Sequence, residues 1–216
     1  MIRIGIELNG VLRNVNYQMC KYYAKDIDPL FTFDKKDIDN LNMRDTLKFN
    51  SKKEFNEFVY VNYPYEIFGC ANAMQRGLQA QFTNWLAKLP DFEKEKFDVG
   101  TYSLNEEALT IQSTYFFLSK FGSRARTMYF PESTEELWEK FDVIITCDPD
   151  VIRSVPKGKR VIIIRRDNNK RYEKNAFACY DTMKDLFDDT ELLDKLCAEK
   201  QEKDNFFKKL TKKLHL

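Results

Sequence analysis

Apolar residues fall along this chain in two distinct periods. Short, nearly unbroken apolar runs occur at Ile2–Leu8, in "KFDVGTYS" (Lys96–Ser103), "RARTMYF" (Arg124–Phe130), "DVIIT" (Asp142–Thr146) and "RVIIIR" (Arg160–Arg165), with a shorter "AFACY" (Ala176–Tyr180). Such runs predict strands buried on both faces. Between them the apolar positions take helical spacing: "VNYQMCKYYAK" (Val15–Lys25), "RGLQAQFTNWLAKL" (Arg76–Leu89) with Leu78, Phe82, Trp85 and Leu86 on one side, and a stripe at Ala108, Ile111, Tyr115 and Leu118. Three Ser-x-x-Glu pairs, Ser51/Glu54, Ser103/Glu106 and Ser133/Glu136, read as capping boxes that open helices, and Gly122 stops the second of these. From Asp26 to about Asn50 the chain is polar and turn-rich. Apolar strands alternating with amphipathic helices predict a three-layer, doubly wound α/β architecture with a parallel sheet. Its functional crevice is expected beyond the C-terminal ends of the strands, which singles out the loops beginning at Glu7, Ser103 and Cys147.

Composition narrows the chemistry. The length of 216 residues suits one core with an insertion, or two small domains. A net charge of +1, from 35 basic and 34 acidic side chains, gives no overall field toward nucleic acid or a membrane surface. No apolar run approaches the roughly 18 residues of a membrane span, and the N-terminus lacks the pattern of a signal peptide. The five cysteines, Cys20, Cys70, Cys147, Cys179 and Cys197, are scattered and unpaired in sequence. They point to a reducing, cytoplasmic compartment rather than to a disulfide framework or a zinc site. The one histidine, His215, stands next to the last residue, which excludes Ser-His and Cys-His triads.

The stretch "IGIELNGVLRN" (Ile4–Asn14) resembles motif I of the haloacid dehalogenase (HAD) superfamily of phosphohydrolases, an Asp-x-Asp-Gly-Val/Thr loop after a buried strand. Ser103 at a strand end resembles motif II, and "DVIITCDPDVI" (Asp142–Ile152) resembles the apolar strand and acidic loop of motif IV. The resemblance covers about residues 1–14 and 78–190. It implies a HAD-like, Rossmann-like core over 1–190, a small helical cap inserted at about 15–77, and a C-terminal amphipathic helix over 191–216.

Carried over by position, Glu7 stands at the family's nucleophile and metal ligand, Asn9 at its acid/base, Ser103 at the phosphate-binding hydroxyl, and Cys147-Asp148 at the acidic pair. Asn9, Gly10 and Ser103 are the implied phosphate-binding residues, and Glu7 and Asp148 the implied ligands of Mg²⁺. The family's lysine falls near Glu135 and Glu136, with Lys140 the nearest candidate. These departures have physical weight. The extra methylene of Glu7 moves its oxygens by about 1 Å, a misplacement that can cost about 10²-fold. Asn9 has no titratable proton and forfeits acid/base help worth about 10²–10⁴, and a thiol at position 147 suits Mg²⁺ badly.

From these losses the sequence reading expects an inert pocket. It takes the chain for a catalytically inactive, structural or interaction component of a multi-subunit assembly, with other protein subunits as partners and no cofactor. "VLRN" after motif I is similar to small HAD proteins of tailed bacteriophages, so a virion tail or connector role is expected. The alternatives are a Mg²⁺-dependent phosphohydrolase of nucleotides or another small phosphate ester, and a phosphate-binding module without turnover. Near the C-terminus, Leu192, Leu193 and Leu196 are expected against the core, and Phe206, Phe207, Leu210 and Leu214 form a face, flanked by lysines, expected to dock on a partner.

Overall fold

In a computed structural model the structure describes residues 1–40, 42–89, 97–122 and 127–198. Six strands form one parallel sheet: β1 (Ile2–Glu7), β2 (Phe97–Tyr102), β3 (Thr127–Tyr129), β4 (Val143–Thr146), β5 (Arg160–Ile164) and β6 (Ala178–Tyr180), in the order β3-β2-β1-β4-β5-β6. The strand β1 lies at the centre, with Ile4 opposite both Val99 and Val143, and Ile6 opposite both Thr101 and Ile145. The chain builds outward from β1 to β3, then crosses back to place β4 on the other side of β1. That reversal puts a topological switch point, and hence a crevice, between the C-terminal ends of β1 and β4.

Alternation along the strands sends side chains to two separate cores. On one face Ile2, Ile4 and Ile6 meet helix α5 (Leu78–Lys88) through Phe82 and Trp85, α6 (Ala108–Phe121) through Phe117 and Phe121, and α9 (Met183–Asp188) through Leu186 and Phe187. On the other face Ile144, Val161 and Ile163 meet α7 (Thr134–Lys140) through Leu137 and Trp138, and α8 (Pro149–Arg153) through Val151 and Ile152. Gly5 is required here, because a Cβ on it would lie 2.6 Å from the ring of Phe141. The three-layer α/β expectation holds.

Between β1 and α5 the chain forms α1 (Val15–Asp26), α2 (Lys35–Ile38), α3 (Met43–Thr46) and α4 (Lys52–Asn56), followed by π-helical turns at Glu57–Asn62 and Tyr65–Gly69. This insert has a third core built largely on aromatic rings, in which Tyr23 meets Phe31, Phe49 and Phe58 edge-on. Ser51 caps α4 as its Ser-x-x-Glu pattern predicts, accepting from the Glu54 amide at 3.1 Å. Ser133 caps α7 in the same way.

Ser103 does not. The helix α6 begins at Ala108 with Glu107 in the cap position, and the Ser103 hydroxyl donates to the Glu106 carboxylate instead. Gly122 closes α6 in the left-handed conformation, as expected. Leu192, Leu193 and Leu196 pack into the first core, whereas the docking face of Phe206, Phe207, Leu210 and Leu214 lies outside the described residues. Among the described residues no helix is long and apolar enough to cross a membrane.

Candidate active site

The loop after β1 is a tight knot. Three amides, from Val11, Leu12 and Arg13, converge on the Leu8 carbonyl, and the Gly10 amide returns to the Arg13 carbonyl at 2.9 Å. The turn needs glycine at position 10 twice over. Its φ is +79°, a left-handed value, and a Cβ there would lie 2.7 Å from the Cys147 sulfur. The loops after β1 and β4 therefore touch, and Glu7, Cys147 and Asp148 of the predicted set come together.

Glu7 is buried at the end of β1, and its Oε2 accepts from Thr146 Oγ1 at 2.6 Å and from the Cys147 amide at 2.9 Å. Thr146 Oγ1 accepts in turn from the Asp148 amide at 2.9 Å. Burial, reinforced by the nearby charge of Asp148, pushes the Glu7 carboxyl up to about 7, with the two hydrogen bonds opposing. Asp148 caps α8 by accepting from the Asp150 amide, and burial raises its carboxyl as well. The Cys147 thiol, fully buried beside Glu7, is raised far above its ordinary range. A neutral thiol there is neither a nucleophile nor a good ligand.

These groups line a crevice of about 130 Å³ whose wall also includes Asn9, Gly10 and Asn14 from the β1 loop, Asp39 from the insert, and Arg166. Arg166 is the cation at this site. It follows β5, donates through Nη2 to the Gly10 carbonyl at 2.7 Å, and lies 3.8 Å from Asp39. The buried Asn169 holds this edge together by donating to the carbonyls of both Cys147 and Ile164 at 3.0 Å. Lys140, the nearest sequence candidate for the cation, sits at the end of α7 just before β4 begins. It belongs to the opposite edge of the sheet from the crevice. A larger cleft of about 830 Å³ between α5 and α6 holds no carboxylate in its wall and offers no comparable chemistry.

Asn9 and Ser103 take part in a second cluster. Arg13, fully buried, donates from Nε and Nη2 to Asn9 Oδ1 at 2.9 and 2.7 Å, from Nη1 to Thr114 Oγ1 at 2.6 Å, and pairs with Glu106 at 3.2 Å. Its guanidinium also lies against the rings of Phe68 and Phe117. Asn9 Nδ2 donates to Ser103 Oγ at 3.1 Å, and Ser103 and Thr114 both donate to Glu106. The Ser103 hydroxyl is fully buried and engaged on both sides. Burial draws the Arg13 guanidinium down to about 10, with Glu106 opposing, so it remains charged at neutral pH.

Reasoning from sequence did not single out Arg13, Glu106, Thr146, Arg166 or Asn169 as members of a site. The signal for Arg166 was its place directly beyond a buried strand, at the same sheet edge as Glu7 and Cys147.

No family model matches the sequence, and neither does any curated protein. Solved structures do match. One, described as a haloacid dehalogenase-like hydrolase from Burkholderia xenovorans LB400, is 10% identical, with 89% of this chain and 98% of that chain covered and a TM-score of 0.52. Another, a HAD-superfamily hydrolase of subfamily IA, variant 1, from Geobacter sulfurreducens PCA, is 12% identical, covering 87% and 98%, with a TM-score of 0.51. These neighbours, described as hydrolases, overturn the expectation of an inactive structural or virion component. The sheet order, the crevice at its switch point and these likenesses together give the chain a haloacid dehalogenase-like fold.

Proposed function

We propose that this chain is a phosphohydrolase that cleaves a small phosphate ester in the crevice between Glu7, Asp148 and Arg166. The observation that carries this reading is a pair of carboxylates facing one crevice beside a guanidinium, with the Glu7 carboxyl raised to about 7. A carboxyl that titrates near neutral pH can exchange a proton with water or a leaving group. Asp148 raises the Glu7 carboxyl, and a carboxylate beside a carboxyl it raises divides the pair naturally into an ionised and a protonated partner.

Asn9 cannot supply that proton, because its amide does not titrate and is held by Arg13 and Ser103. Glu7 and Asp148 therefore take the acid/base work, while Thr146 and the Cys147 amide fix the position of Glu7. Arg166 presents a planar fork of donors suited to phosphate oxygens.

Among the described residues no group of three or more acidic, His or Cys side chains surrounds a metal position. Mg²⁺, however, is commonly held by one or two carboxylates together with substrate phosphate and water. The donor set fits that pattern with one carboxylate: Asp148, the ionised partner, would hold the ion, whose charge would offset that of the phosphoryl group, and Glu7 is left to carry the proton.

Phosphate release from p-nitrophenyl phosphate and nucleoside monophosphates with Mg²⁺ tests the proposal. Turnover is expected in the native chain and its loss in Glu7→Gln. No release from any ester, or an unchanged rate in Glu7→Gln, would overturn it. The locked amide of Asn9 favours a second reading, phosphate binding without turnover. That reading would show as stabilisation by inorganic phosphate without release.

A further inference from the structure

At about 130 Å³ the crevice is small beside the roughly 300–1,000 Å³ of ordinary ligand pockets. It can hold a phosphoryl group but little of the ester that carries it. The remainder of a substrate must extend beyond the crevice, and one exit is marked. A neighbouring cleft of about 530 Å³ shares two wall residues with it, Asp39 and Arg166.

That cleft is a seam, with α2 of the insert on one side and the segment after β5 on the other. Its charges can be followed one by one. Arg165 pairs with Asp181 at 3.2 Å, Lys170 with Asp167 at 2.7 Å, and Arg166 approaches Asp39 at 3.8 Å. Asp34 caps α2, accepting from the backbone amides of Lys36 and Asp37. Those pairings leave two cationic side chains, Lys35 and Lys36, which line the cleft without an ion-pair partner among the described residues, against the one remaining carboxylate of Asp34, so the cleft is net positive. Their field crosses the seam: Asp167 is held below its ordinary range first by Lys170, with Lys35 and Lys36 adding to the effect.

We infer that this cleft receives a second phosphate of the substrate, read by Lys35 and Lys36, while Arg166 stands between the two phosphate positions. The inference rests on the phosphohydrolase reading and narrows it to phosphate esters that carry a further phosphate a few atoms from the reacting one. A doubly charged group gains from both ammonium groups at once, whereas a monophosphate occupies the crevice alone. In this arrangement Lys35 and Lys36 set specificity and take no part in bond breaking.

Calorimetric titration of the full chain with methylphosphonate and with propylenebisphosphonate, neither of which can be hydrolysed, tests this directly. The bisphosphonate is expected to bind roughly tenfold more tightly, the scale of two exposed charge contacts. In the Lys35→Ala/Lys36→Ala double variant that advantage should vanish while methylphosphonate binding is unchanged. Equal affinity for the two probes in the native chain, or an advantage that persists in the double variant, would overturn the second phosphate position and leave the phosphohydrolase reading standing. Failure of both probes to bind the native chain would remove both.

Discussion

Glu7 and Asn9 are two residues apart, yet they belong to opposite kinds of polar environment. Around Asn9 every charge is answered: Arg13 and Glu106 pair with side-chain exposures of 0% and 1%, and Asn9, Ser103, Thr114 and the Phe68 carbonyl supply the remaining hydrogen bonds. Around Glu7 the ionisable neighbours include another acid, a thiol and the buried Tyr102, and the cation, Arg166, is attached to a backbone carbonyl and to the insert. A satisfied network holds elements in place. At a crevice, a buried carboxyl that is hydrogen-bonded but has no paired cation is where a ligand can gain. The difference is why the proposed chemistry falls at Glu7 and Asp148, with the neighbouring cluster as the frame that supports them.

The strongest way to break this comparison is to unpair the frame. Arg13→Met leaves Glu106 buried and unanswered, and is expected to cost about 3–5 kcal/mol of stability, read by urea denaturation. The double variant Arg13→Met/Glu106→Gln should recover much of that loss. A loss below about 1 kcal/mol in the single variant would mean that water reaches Glu106 and that the frame is not closed.

A smaller effect of opposite sign is expected in the crevice. The folded Glu7 carboxyl titrates at about 7, above its ordinary 4.5. Its protonated form is thus the one the fold prefers, and stability should fall as pH rises from about 4.5 through 7. Above that range Glu7→Gln should be more stable than the native chain by an amount on the order of 3 kcal/mol, and it should lack this pH dependence. Thermal melts of the metal-free proteins at pH 5 and pH 8.5 check the sign, and a native chain that gains stability across that interval would refute it.

The smallest effect concerns the cation of the crevice. Arg166→Ala is expected to weaken inorganic phosphate binding roughly tenfold, the worth of one hydrogen bond to a charged group, and to leave the melting temperature nearly unchanged. An Arg166 that proved necessary for folding would belong to the frame, and the distinction between the two clusters would blur.

Most of the sheet was legible in the sequence because a strand buried on both faces must be a run of apolar residues, and helices between such strands force parallel pairing. That Glu7 and Asp148 meet at one crevice was legible for a related reason, since strand ends at a switch point are where ligands meet the fold, although the pocket they form was expected to be inert. The Arg13–Glu106 pair was not. Its members are 93 positions apart, and an arginine after a turn reads as a solvated side chain until the helix that buries it is in place. Ser103 was misread because Ser-x-x-Glu matches a capping box even when the two side chains bond to one another and ignore the backbone. The π-helical turns of the insert, at Glu57–Asn62 and Tyr65–Gly69, were not read from the sequence, whose apolar spacing there resembles that of an ordinary helix. Arg166 escaped notice because "RR" after a strand resembles an ordinary charged loop.

Arg13 also bears on how the parts of the molecule depend on one another. Its guanidinium reaches the insert at the Phe68 carbonyl, 55 positions along the chain, and α6 at Thr114, 101 positions along. Until both arrive, a cation on the central strand's own loop has no partner in a place that excludes water. The insert has a core of its own, but only with the sheet beside it is that cation both shut away from water and paired. The two are thereby coupled in stability, so that loosening the roof over the crevice also loosens the floor beneath it.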